Sequence, residues 1–138
     1  MIKKMKQAVI GIVSRVNDKQ KREYLFIKPN SDNDNYTDKY YPPGGGVNEG
    51  ETEQEAIKRE FLEELNLQVV PVKLIVKLPA DIPNVMLSFW QCEILEEKIK
   101  INKDEIKDAK WFSVEQIASM PLYSATKKLF QEYLQEKL

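Results

Sequence analysis

The sequence predicts an α/β fold in which helices pack on a mixed sheet, and three observations predict it. Runs rich in β-branched residues lie on both sides of one long segment free of glycine and proline. That segment opens on a helix-capping pair, and two further cap residues follow the last β-rich run. The element order is thus strands, helix, strands, helices. With 138 residues, 42% of them apolar and 31% charged, the chain can bury one core, so residues 1–138 are read as a single domain.

Residues 7–16 form the first element. Basic residues precede the apolar run at 8–13, as in a secretion leader, but the run is too short for a leader or a membrane span and reads as a strand. A second strand at 24–27 follows the turn residues Asn17, Asp18 and Lys19, giving a hairpin. Residues 29–39 are a polar loop rich in Asn and Asp, placed to act as a flap over a site. The next segment, YYPPGGGVNEGE, reads as a loop that two prolines stiffen and whose glycines let backbone carbonyls face a ligand closely.

Thr52 and Glu55 fit a capping box, and residues 52–65 then read as a helix of about four turns. Two strands follow, VVPVKLIVKL and NVMLSFWQCEI, separated by a bend with Pro79 and Pro83. Lys110, Trp111 and Phe112 make a further short strand. Ser113 caps a helix through Met120, and Ser124 caps a last helix ending near Lys137.

Composition removes several function classes. The chain has 21 basic and 22 acidic side chains, a net charge of −1, which lacks the basic excess that a binder of nucleic-acid polymers sets against phosphates. It has no histidine, which excludes Ser–His–Asp triads, Cys–His pairs and the usual zinc sites. A general base must then be a carboxylate, a lysine or a tyrosine. Cys92 is the only cysteine, sits in an apolar run, and reads as a buried small hydrophobe in a protein of the reducing cytoplasm.

The chemistry concentrates on the central helix. At about 100° per residue, Glu60, Glu63 and Glu64 fall within one arc, while Ile57, Phe61 and Leu65 form a separate stripe that packs on the sheet. Like charges three and four residues apart repel, and Arg59 offsets only part of this, so the cluster calls for a cation. Hard divalent ions such as Mg²⁺ take oxygen ligands and are commonly shared between carboxylates and substrate phosphates. A helix bearing glutamates also describes many merely solvated faces; spacing separates this one from them.

The segment GGVNEGETEQEAIKREFLEELNL, residues 45–67, resembles the Nudix box: Gly, five residues, Glu, seven residues, Arg-Glu, an apolar residue, any residue, Glu-Glu, any residue, Gly, then an aliphatic residue. Gly45, Glu51, Arg59, Glu60, Phe61, Glu63, Glu64 and Leu67 match, eight of nine defined positions. Asn66 replaces the final glycine, and asparagine is the next residue best able to take the left-handed conformation of a helix end. The resemblance implies an α/β/α sandwich with a mixed central sheet and hydrolysis of a phosphoanhydride bond in a nucleoside diphosphate derivative or nucleoside triphosphate. It implies Mg²⁺, with Mn²⁺ as the alternative, held by Glu60, Glu63, Glu64 and the carbonyl of Gly45.

By the same resemblance Glu51 is mainly structural, and Arg59 serves the catalytic set by holding a neighbouring carboxylate in place. A water attacks one phosphorus in line, deprotonated with help from a carboxylate. Glu60 is the first candidate base, and Glu105, ahead of a Trp-containing strand, resembles the later acidic residue of many family members. Tyr41, beside the glycines, and Trp90 are candidates to stack on a nucleobase. The expected partner is a small nucleotide-like molecule, with no membrane; a homodimer is left open. The alternative is a catalytically silent sensing or interaction module on the same fold.

Overall fold

The structure is a computed structural model and describes residues 5–30 and 39–134. Alternation along its first strand, β1 (Lys6–Val16), sends Val9 and Val13 to one face of a sheet and Ile12 to the other. The second, β2 (Arg22–Pro29), repeats the division, with Leu25 and Ile27 opposed to Tyr24 and Phe26. Two cores result. Helix α1 (Glu53–Leu65) closes the first through Ala56, Ile57, Phe61 and Leu65, and the second is closed by α2 (Val114–Ser119) and α3 (Ser124–Lys128) through Ile117 and Ala125. The layering is α/β/α.

The remaining strands are β3 (Gly44–Gly46), β4 (Val69–Pro79), β5 (Val85–Ile94) and β6 (Ile106–Ser113). Their order is β4-β5-β1-β2-β6, with β3 also paired to β1. Only β1 and β5 run parallel among the described pairs, so the sheet is mixed, as expected from the sequence. Cys92 is buried in the α1-side core, and burial pushes its thiol up to about 12. Among the described residues no helix is long and apolar enough to cross a membrane.

Gly11 sets how closely α1 approaches the sheet. A Cβ at this position would lie 2.5 Å from Cε1 of the fully buried Phe61. Gly11→Ala should therefore destabilise the fold by about 1–3 kcal/mol, the usual cost of overpacking a core, measurable as a lower denaturation midpoint at unchanged m-value.

Four readings of the sequence need amendment. The three glycines form an edge strand, with Val9 opposite Gly45, where the sequence suggested a loop; glycine carries no strand propensity, and only the partner strand reveals the pairing. Strands β2 and β6 run longer than 24–27 and 110–112, because flanking polar residues such as Lys28 and Asp108 join the ladder without an apolar signal. Ser124 is the first residue of α3 and not its cap: Tyr123 precedes it, and the Ser124 N–H donates to Asp81 Oδ2 at 3.1 Å. The chain then widens into a π-helical turn, Leu129–Tyr133; the end expected near Lys137, and most of the flap at 29–39, lie outside the described residues.

Candidate active site

Both ends of α1 are fixed by residues the sequence makes available nearby. Thr52 Oγ1 accepts the Glu55 N–H and the Glu55 side chain accepts the Thr52 N–H, the reciprocal cap expected. Glu53, in the first turn, accepts hydrogen bonds from Ser88 Oγ and Trp90 Nε1, both at 2.9 Å, which ties the helix to β5. Trp90, a candidate for substrate contact, is thus engaged by the helix and packs against the α1-side core. At the far end Asn66 has φ 54°, its N–H donates to Leu62 O, and Leu67 N–H reaches back to Phe61 O.

The carboxylates of α1 are not equivalent. Arg59 grips Glu51 with two bonds, Nε to Oε2 at 2.7 Å and Nη2 to Oε1 at 3.0 Å, while Nη1 reaches Glu60 at 3.1 Å and Glu63 at 3.2 Å. Arg59 Nη2 also donates to the Gly46 carbonyl at 2.9 Å. One planar guanidinium therefore joins the glycine strand, the box turn and two of the three helix glutamates. Glu51 accepts the Asn48 N–H as well, which keeps its carboxyl below the usual range, with Arg59 the larger cause.

Glu64 stands apart from Glu63, which is exposed to solvent on the same arc. It is buried at 9% exposure, and its Oε1 has no hydrogen-bond partner among the described residues. Burial, followed by the charges of Glu60, Glu105 and Glu63, raises its carboxyl to about 9, against a single opposing backbone N–H from Gly44. Burial also pushes Glu60 up, with Arg59 pulling the other way and Glu63 and Glu105 adding to the rise. These effects put Glu105, in the turn just before β6, within electrostatic reach of both.

Glu60 lies against the glycine strand: a Cβ on Gly45 would collide with its carboxylate. Gly45 also lines a cleft of about 320 Å³ on the sheet face opposite α1, where Tyr41, Tyr123, Ile10 and Leu87 supply mostly apolar walls and Asp81 an acid. The rings of Tyr41 and Tyr123 stand 6.0 Å apart. Tyr41 is thus the predicted aromatic that reaches the glycine strand, whereas Tyr40 turns away to donate its hydroxyl to Asp108 at 2.6 Å. Asp81 comes from the bend between β4 and β5, 43 positions before the Ser124 N–H it accepts, and no local pattern marks it.

As the side chains stand, no group of three or more acidic or cysteine residues among the described ones is gathered closely enough to hold a metal ion. Arg59 occupies oxygens of Glu60 and Glu63, while Glu64 is buried apart from it. The donors nevertheless suit a hard divalent cation. They are carboxylate oxygens, one of them buried without a partner, and burying several like charges together is costly without a compensating cation.

The NUDIX domain family model matches residues 5–133. The human NAD-capped RNA hydrolase NUDT12 is 33% identical over 85 residues, which cover 57% of this chain and 18% of that protein. The chain spans a third or less of the length of the curated relatives it matches. The MutT protein from Methanosarcina mazei Go1 superimposes with a TM-score of 0.76 at 22% identity, covering 98% of this chain and 96% of that one. A NUDIX hydrolase from Nitrosomonas europaea does so with a TM-score of 0.80 at 19% identity, covering 99% and 74%. These two likenesses establish the shared fold.

Proposed function

The chain belongs to the Nudix family, and from that premise we propose that it hydrolyses a diphosphate bond in a nucleoside diphosphate derivative or nucleoside triphosphate, with Mg²⁺ as cofactor. The observation that carries this reading is Glu64: a carboxylate oxygen buried without a partner, beside Glu60 and within reach of Glu105. Such an atom is costly to fold around and is explained by a ligand it binds. Glu60, Glu63, Glu64 and the carbonyl of Gly45 would hold the cation. When bound, Mg²⁺ neutralises charge on the phosphate oxygens as a Lewis acid.

The chain's own residues supply the rest. Arg59, anchored on Glu51 and the Gly46 carbonyl, holds Glu60 and Glu63 and so keeps the acidic face together. Glu60 and Glu105 are the carboxylates placed to take a proton from an attacking water, and burial of Glu60 moves it toward the proton affinity a base needs. The cleft beyond Gly45 seats the organic part of the substrate, with Tyr41 as one wall, because both features share that one residue. The partner is accordingly a small molecule.

The test is a panel of a nucleoside triphosphate, a nucleotide sugar, ADP-ribose, a dinucleoside polyphosphate, NAD and an NAD-capped oligonucleotide, the last two prompted by the name of the human relative. At least one should be hydrolysed with Mg²⁺ and none with a chelator present. Hydrolysis in ¹⁸O-labelled water then identifies the phosphorus attacked. A panel untouched at saturating Mg²⁺ would reject the reading.

A further inference from the structure

A helix ends with carbonyls that its own backbone cannot satisfy. In α1 three of these are taken by one short segment. Asn102 Nδ2 donates to Glu63 O at 3.1 Å, Asn102 N–H to Glu64 O at 2.9 Å, and Lys100 N–H to Leu65 O at 3.0 Å. Asn66, the residue that departs from the box pattern, donates its side-chain Nδ2 to Lys100 O at 2.6 Å. The segment is therefore stitched to the last turn from both sides.

Asn102 then shapes the turn that carries Glu105. Its carbonyl accepts the N–H groups of Glu105 at 3.0 Å and Ile106 at 2.9 Å, and its Oδ1 accepts the Asp104 N–H at 3.1 Å. Its Nδ2 also reaches Glu105 Oε2 at 3.4 Å. One residue thus contacts the backbone of two box glutamates and both the backbone and the carboxylate of Glu105. Neutral amides are suited to this place because Glu105 is repelled by Glu60 and Glu64, and an amide restrains it without the charge that a lysine or arginine would add.

We propose that Asn66 and Asn102 are positioning residues that clasp Glu105 against the carboxylate helix, Asn66 through a side-chain contact that the usual glycine lacks. The kinetic consequence rests on the hydrolase reading above; the clasp itself does not. Glycine adopts φ 54° readily, so Asn66→Gly restores the family residue, keeps the turn and removes only the donor.

The experiment compares wild type, N66G, N102A, E105Q and the doubles N66G/E105Q and N102A/E105Q on a substrate that the panel identifies. N66G and N102A should each lower kcat at least about tenfold with KM within about twofold. Neither should lower kcat further in the E105Q background, since both act through Glu105. Full activity in N66G or in E105Q, or losses that simply multiply in the doubles, would overturn the proposal. Amide hydrogen exchange on the metal-free protein supplies a readout without turnover: Lys100 and Asn102 should exchange about tenfold faster in N66G than in wild type. Equal rates would overturn the clasp even if wild type hydrolyses nothing in the panel, an outcome that rejects the hydrolase reading separately.

Discussion

Glu64→Gln is expected to abolish Mg²⁺-dependent hydrolysis while making the metal-free protein more stable. The two effects have one origin. Glu64 is buried among Glu60, Glu63 and Glu105, and in the absence of a cation its carboxyl is raised from an ordinary 4.5 to about 9. Below pH 4.5 folded and unfolded chains both carry the proton, and its ionisation makes no difference between them. Between 4.5 and 9 the unfolded chain releases the proton and the folded chain keeps it, so stability falls as pH rises through this window and levels off above it.

At pH 7 the loss is on the order of 3 kcal/mol, from about 1.4 kcal/mol per pH unit over the part of the window already crossed. Glutamine fills the same space and does not titrate. The stability gap between variant and wild type should therefore be small near pH 4, grow toward pH 9, and shrink when Mg²⁺ is added to wild type alone. Denaturant melts across that range measure it. A variant that is less stable than wild type at pH 8 without metal would show that Glu64 is a structural residue, and the Mg²⁺ assignment would lose its main support.

The helix, its cap and its acids were legible because each is a local property. Thr52 with Glu55 announces the start, the stripe of Ile57, Phe61 and Leu65 announces the buried face, and the spacing of Glu60, Glu63 and Glu64 needs only helical geometry. Periodicity alone could not divide the acids. Glu64 neighbours Leu65 at the margin of the stripe, and whether it is buried depends on how far β3 leans over α1, which is a tertiary distance. The same limit explains Trp90 and Asp81. A tryptophan in a strand predicts a large contact without naming the partner, and Asp81 acquires its role only when α3 folds back onto the bend that carries it.

Asn66 shows the opposite case, where a local rule was right but incomplete. Left-handed backbone explains why asparagine is tolerated at φ 54°, and the structure adopts that conformation. Nothing in the neighbouring residues indicates that the side chain finds Lys100, 34 positions later. Tolerance was readable, and the additional bond was not.

Adjacent glycines of β3 should respond to alanine in opposite ways, because different kinds of atoms stand where the methyl would go. On Gly44 the new Cβ would collide with the carbonyl oxygen of Val9 and lie 2.9 Å from Cα of Ile10, both backbone atoms of the central strand. Those atoms cannot yield without opening the β1–β3 pairing, so Gly44→Ala should cost about 1–3 kcal/mol or more of stability. On Gly45 the three atoms nearest the methyl all belong to the Glu60 carboxylate, the far end of a side chain that can swing aside by giving up its bond to Arg59. Gly45→Ala should keep stability within about 1 kcal/mol of wild type. Its activity should nevertheless fall about a hundredfold, since a displacement near 1 Å in a positioned group costs that much. Denaturation midpoints and kcat/KM for the two variants decide the matter. A Gly45→Ala protein with wild-type kcat/KM would mean that the place of Glu60 against the glycine strand has no catalytic consequence, and the base would then have to be sought at Glu105.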